Sequence, residues 1–257
     1  MNTTQTIPTD VMLSKVPEVT IWFWVIKLLS TTVGETFADF LTVNAGLGQF
    51  TTCGAMGVLL AIALVAQFRA RQCVPWIYWL CVVLVSIVGT QITDLLTDTL
   101  EVSLYASTGV FTVVLGFLFA VWHRLEGTLS IESITTERRE IFYWLAILCT
   151  FALGTAAGDL ATEEMGLGFR FGVLVFSGLI SITALAYKLK VNSVFTFWIV
   201  YILTRPLGAA LGDFLTQART YGGIGLGAMW TSVIFLSVIV TLVFIAQIKE
   251  NKKTVSN

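Results

Sequence analysis

Charge is what this sequence has least of. Only 12% of its 257 residues are Asp, Glu, Lys or Arg, about half the share of an ordinary soluble domain. Fifteen basic against 16 acidic side chains leave a formal net charge of −1. There is no basic excess to hold nucleic acid and no acidic tail. Histidine occurs once, at His123 beside Arg124, so a His-based dyad or a His-rich metal site cannot be built and His123 reads as an interface residue. Cys53, Cys73, Cys81 and Cys149 never show the two-residue spacing of a zinc or redox pair, and they read as small buried hydrophobes. No glycine loop with Lys and Ser/Thr offers a phosphate cradle. The first 17 residues hold one lysine, Lys15, and no charged stretch leading into a short apolar core; no removable signal peptide is expected, and the first span should stay as an anchor.

What is abundant is apolar. Hydrophobic residues make up 56%, with 18 Phe and 8 Trp, and mean hydropathy is +0.85. A soluble enzyme, a disordered chain and a DNA binder are excluded; an all-α polytopic membrane protein is expected. Runs long enough to cross a hydrocarbon core, roughly 20 residues each, fall near 19–41, 50–68, 75–96, 104–123, 142–161, 169–188, 194–216 and 225–247. Eight transmembrane helices follow, because an unpaired backbone has no partner in lipid and no strand-like alternation is present.

Cations are distributed unequally. Lys15, Arg69, Arg71, Arg124, Arg138, Arg139, Lys188, Lys190, Lys249, Lys252 and Lys253 share the side of the termini, against Arg170 and Arg219 opposite. The positive-inside rule then puts both termini in the cytoplasm of a multi-pass plasma (inner) membrane protein. Asp98, Glu101, Glu163 and Glu164 make the outer mouth mildly acidic. The resulting organisation is a cytoplasmic tail (1–17), a first four-helix half (18–124), a charged linker (125–140), read as a solvated loop, a second half (141–248) and a cytoplasmic tail (249–257).

Aligning the odd-numbered spans exposes one pattern four times: Trp, nine residues, Gly, four residues, Asp. The copies are Trp24/Gly34/Asp39, Trp79/Gly89/Asp94, Trp144/Gly154/Asp159 and Trp198/Gly208/Asp213. With 8 Trp, 21 Gly and 6 Asp in the chain, chance would supply about 0.015 such matches, so this is an internal repeat. The third residue after each Asp is Thr: Thr42, Thr97, Thr162 and Thr216. Each repeat contains two spans, so successive repeats enter from the same side, as four parallel helical-hairpin repeats about an axis along the membrane normal.

A Trp-bearing two-helix unit in four tandem copies, opened by Lys15-Val16-Pro17-Glu18-Val19-Thr20, resembles the bacterial, uncharacterised membrane-protein family defined by a tandem repeat of unknown function. The resemblance covers residues 15–248 and implies topology rather than activity. Gly158-Asp159, Gly212-Asp213 and the nearness of Glu35 to Asp39 carry a looser likeness to manganese and calcium exporters, without their full acid-x-Gly-Asp signature.

Fifteen residues at 1.5 Å rise separate each motif Trp from its Asp by about 22 Å. Trp24, Trp79, Trp144 and Trp198 therefore sit near the cytoplasmic interface, as an aromatic belt or as packing wedges, with Trp22, Trp76 and Trp122 in the same belt. The mid-helix Gly34, Gly89, Gly154 and Gly208 read as sites of close helix approach, and Gly109, Gly116, Gly172 and Gly178 likewise. Asp39, Asp94, Asp159 and Asp213 lie just inside the outer boundary, where a carboxylate is costly. Either they staple repeats together, through the neighbouring Thr, or they form a cation site. Four residues earlier, on the same helix face, stand Glu35, Thr90, Thr155 and Ala209, a second layer that is mostly oxygen. Oxygen-only ligands suit hard divalent cations or protons, with Glu35, Asp39, Asp159 and Asp213 as the metal set. Arg205, followed by a Pro206 that should kink the helix, is the expected counter-charge or gate. Lys27, the other intramembrane cation, can serve in the same way or snorkel to the interface.

The function expected is secondary transport or export of a small divalent cation. The alternative is a membrane scaffold or interaction protein whose acids are structural. No enzyme activity and no cofactor are expected, since a membrane enzyme would have only carboxylates, Thr and Ser to work with. The expected partners are the lipid bilayer and a small cation or proton, with no nucleic acid; a homo-oligomer is allowed.

Overall fold

Pro75 opens one apolar run at the first helical turn, and Ser103, Thr136 and Asn192 accept backbone N–H bonds at the start of three others, each satisfying donors that a helix start would leave bare. The computed structural model describes residues 14–256, with side chains through residue 252. Among these residues the chain forms eight long helices and no strand: α1 (Ile21–Asp39), α2 (Gln49–Arg69), α3 (Pro75–Asp94), α4 (Leu104–Glu126), α5 (Glu137–Asp159), α6 (Phe169–Lys188), α7 (Ser193–Thr216) and α8 (Ala228–Ser256). Most of the tail assigned to 1–17, and the side chain of Lys253, lie outside the described residues.

The odd-numbered helices make a closed inner ring in the order α1, α3, α5, α7 and back to α1. Each even-numbered helix lies outside it, and not where a hairpin would put it. α2 packs on α3, α4 on α5, α6 on α7, and α8 returns to α1. The two helices of one sequence repeat thus make little direct contact, and the hairpin expected as the packing unit is only the unit of sequence. Every repeat reaches over to cover the next, so the ring closes only when all four are present.

The repeat glycines explain how closely the ring is drawn. A Cβ on Gly34 would come within 2.9 Å of the Ser86 backbone, one on Gly89 within 2.7 Å of Phe151 Cβ, one on Gly154 within 2.5 Å of Arg205 Cβ, and one on Gly208 within 3.0 Å of Thr32 N. Ser86, Phe151, Arg205 and Thr31 each precede their own helix's glycine by three residues, so one contact recurs around the ring. Gly109 and Gly116 on α4 and Gly178 on α6 have open space instead; the close-approach reading holds for the inner helices and for Gly172, which meets Thr162 and Ala210, but not for these three.

Seven helices, α2 to α8, are long and apolar enough to cross a membrane. Only 11% of the apolar window of α4 or α6 is buried, against 67% in α3 and α5. Phe117, Val113, Leu174, Ile182 and Phe244 stand exposed on outer helices. An apolar surface this large fits an integral membrane protein. The eighth expected span, α1, falls short on composition rather than length. Its interior position buries Lys27, Ser30, Thr31, Thr32, Glu35 and Thr36, which lower its hydropathy while the outer helices shield it.

We call the two faces the Trp end and the Asp end. At the Trp end the linker is folded rather than solvated. A 3₁₀ turn at Ile131–Ser133 buries Ile131 and Ile134, and Leu129 O accepts from Trp198 Nε1 at 3.0 Å. Glu126 pairs with Arg138 and Arg139. Lys15 and Val16 are buried too, and Lys15 Nζ bonds Glu140 at 2.6 Å and Phe68 O at 3.1 Å. This stretch of the expected tail is a clasp between α2 and α5.

Candidate cation site along the ring axis

Five quartets of side chains, one from each inner helix and spaced by four residues, fill the ring from the Trp end to the Asp end. The first is the residue before each motif Trp: Phe23, Tyr78, Tyr143 and Phe197. Their rings meet at 6.3–6.5 Å, and the Tyr78 and Tyr143 hydroxyls share a hydrogen bond at 2.6 Å. This aromatic plug lies at the Trp end of the ring, with the motif tryptophans packed against it. Trp79, Trp144 and Trp198 are buried, as is Trp122, which was expected at the interface, and Trp24 is half-buried; of the seven expected in the belt, Trp22 and Trp76 are exposed. Aromatic surface went into packing because the ring supplied neighbours on every side.

The second quartet is Lys27, Val82, Ile147 and Tyr201, and the third is Thr31, Ser86, Phe151 and Arg205; all eight are buried. Lys27 does not snorkel. Its Nζ lies 4.0 Å from the centre of the Phe151 ring and 4.2 Å from that of Tyr201. Arg205 crosses the axis, donating through Nη2 to Glu35 Oε2 at 2.8 Å and to Thr90 Oγ1, and through Nη1 to Thr31 O at 3.5 Å. It thereby joins α7 to both α1 and α3. Helix α7 continues through Pro206, which packs against Gly154 and Gly158 of α5.

Glu35, Thr90, Thr155 and Ala209 form the fourth quartet. Thr90 joins the Arg205–Glu35 pair, while Thr155 turns its hydroxyl back to Phe151 O at 3.1 Å. The fifth quartet is the motif aspartates. Asp213 is buried, and Asp39, Asp94 and Asp159 are half-buried, so the axis opens here. Carboxylate oxygens of Glu35, Asp39 and Asp213 lie within 4.8 Å of one another. Asp159, expected in the metal set, and Asp94 are outside that group. Adjacency in the ring accounts for Asp159, since α7 neighbours α1 and α5 lies across from it; Asp94 stays outside the group although α3 also neighbours α1.

The motif threonines do not bind the aspartates. Thr42 meets Gln91 and Gln49, Thr97 turns to Thr93 O and Asp98, and Thr162 to Gly158 O. After Asp39, Asp94 and Asp159 the backbone widens into one π-helical turn, Phe40–Asn44, Leu95–Thr99 and Leu160–Glu164. Such turns re-aim side chains and recur at functional sites. Helix α7 lacks one. The left-handed residue seven beyond the Asp is Gly46 or Gly166 in two repeats and Glu101 in another.

Two signals were present in the sequence but unused: the aromatic residue before every motif Trp, and the four-residue columns themselves. Reading the second and third columns would have set Lys27 beside Phe151 and Tyr201.

The family described as Repeat of Unknown Function (DUF347) matches residues 22–72, 77–128, 142–191 and 196–251. The chain belongs to the family built from tandem copies of this repeat. No curated protein and no solved structure matches it.

Proposed function

We propose that the protein is a multi-pass transporter of the plasma (inner) membrane that moves a small divalent cation through the Glu35, Asp39 and Asp213 cluster. The Trp end, with both termini, is the cytoplasmic face, and no enzymatic step or cofactor is involved. The observation that carries this reading is the convergence of three carboxylates from two helices within 4.8 Å, at the end of the ring opposite its aromatic plug. Gathering like charges in an apolar surround is costly unless a cation or protons neutralise them. An all-oxygen donor set suits Mg²⁺, Ca²⁺ or Mn²⁺. Asp98, Glu101, Glu163 and Glu164 stand exposed at the same end, where they would concentrate cations. Asp94 and Asp159 serve as further steps around the mouth, and Arg205 balances Glu35.

A specific observation also favours the scaffold alternative: the Arg205, Glu35 and Thr90 network ties three inner helices. Total metal content by elemental mass spectrometry separates the two, in cells with the protein, without it, and with Asp39→Asn plus Asp213→Asn at matched membrane levels. A selective change in one divalent metal that the double variant abolishes supports transport. Unchanged metals together with a less stable variant would leave the acids as staples.

A further inference from the structure

Lys27 has no part in the cluster just described. It is 1% exposed, and its Nζ has no hydrogen-bond partner. Lys15 shows the alternative in the same molecule: an equally buried ammonium fixed by Glu140 and a backbone carbonyl. Lys27 has aromatic faces instead. These stabilise an ammonium without an acceptor that would lock the proton in place.

Ionisable groups at this level of the inner helices are few. Helix α7 carries Tyr201, whose ring faces the amine, and Arg205, α3 carries Tyr78 and Cys81, α5 carries Tyr143, and α8 has no ionisable residue between Ala228 and Ile248. The one carboxylate on this stretch of the axis is Glu35, whose Oε2 is taken by Arg205. Lys27, Thr31, Glu35 and Asp39 follow one another at four-residue spacing along α1, so the amine and the carboxylates share one helix face over about 18 Å.

We propose that Lys27 is a proton-carrying group coupled to the carboxylate cluster, protonated while the cluster is empty and neutral while a divalent cation occupies it. The inference rests on the cation reading of Glu35, Asp39 and Asp213. A bound divalent ion adds positive charge to a column that already holds two cations. The guanidinium of Arg205 cannot release its proton, so the charge that can leave is on Lys27. The step is a proton transfer from Nζ to water: an N–H bond breaks, the electron pair stays on nitrogen, and nothing is oxidised or reduced. Entry of the ion and exit of the proton are thereby an exchange.

The test is calorimetric titration of the purified full-length protein with Mn²⁺, Mg²⁺ and Ca²⁺, each alone, in buffers of different ionisation enthalpy, which yields both affinity and protons released. The wild type should bind one of the three and release protons, as metal sites with protonated neighbours do. Lys27→Met should bind at least as tightly and release about one proton fewer. Lys27→Arg, whose charge cannot leave, should bind at least tenfold more weakly; Lys27→Gln serves in place of Met if that variant does not fold. Unchanged proton release in Lys27→Met, or wild-type affinity in Lys27→Arg, overturns the role of Lys27 alone. A wild type that binds none of the three ions overturns the cation reading with it.

Discussion

Helices α1 and α3 occupy equivalent places in the ring and differ in what they turn toward its axis. In α3 the column reads Tyr78, Val82, Ser86, Thr90, Asp94, while in α1 it reads Phe23, Lys27, Thr31, Glu35, Asp39. What the two share, the aromatic plug, the close-packed glycine and the terminal Asp, builds the ring. What differs, Lys27 and Glu35 on α1 and their counterpart Arg205 on α7, supplies its charge. The departures from the repeat sit on the first and last inner helices, which meet only where the ring closes. Symmetry thus makes the scaffold and its violation makes the candidate site.

The strongest way to break that comparison is to remove the cross-axis charge. Arg205→Met leaves Glu35 buried without its ion pair and with only the 3.5 Å bond from Thr90, and removing one partner of a buried pair costs about 3–5 kcal/mol. Thermal unfolding in detergent should show a large drop in Tm. Adding Glu35→Gln to Arg205→Met should recover much of it, since the uncompensated charge is gone. A double variant no more stable than the single one would mean that Arg205 acts through its packing on Gly154.

Next in size come the glycines, which sharpen the contrast between inner and outer helices. Gly208→Ala drives a methyl into Thr31 and the Thr32 backbone, and Gly34→Ala into Ser86. Because each meets, besides a hydroxyl, a Cβ and a backbone atom that cannot rotate away, the helices must separate, at about 1–3 kcal/mol. Gly109→Ala and Gly116→Ala on α4 meet nothing within 4 Å and should stabilise by up to about 1 kcal/mol through helix propensity. Unfolding of the four variants under one condition checks the sign of each.

Most of the fold was legible in the sequence because apolar runs of this length, without strand-like alternation, leave a chain few options other than helices. The eight apolar runs became eight helices with starts within a few residues of expectation, save α5, which begins at Glu137 in the linker. The fourfold motif marked the inner helices, and spacing alone put Glu35 on the face of Asp39. What could not be read was which helix neighbours which. Sequence adjacency suggested hairpins, whereas the outer helices cross to the next repeat; the grouping of Glu35 and Asp39 with Asp213 rather than Asp159 is a consequence of that closure. Burial of Lys27, Trp122 and Lys15 was missed for a related reason. Snorkelling and tail arguments consider one helix at a time, and these residues are held by others.

The smallest effect tests how far the repeat symmetry extends into the plug. Two of its members are Phe and two are Tyr, with Tyr78 and Tyr143 bonded to each other at 2.6 Å in the interior. Tyr78→Phe removes one hydroxyl and leaves the other without its partner, which should cost about 1–3 kcal/mol, toward the low end because a hydroxyl can rotate to seek a new acceptor. Replacing both Tyr78 and Tyr143 with Phe removes the polar pair together and gives all four repeats the same residue type; an apolar pair of the same shape is nearly neutral. If unfolding shows the double variant to be as stable as the wild type, the hydroxyl pair is a local accommodation inside a symmetric aromatic seal. If the double variant is worse than the single, the bond holds α3 to α5 in a way the repeat does not, and the plug has an asymmetry of its own to set beside that of α1 and α7.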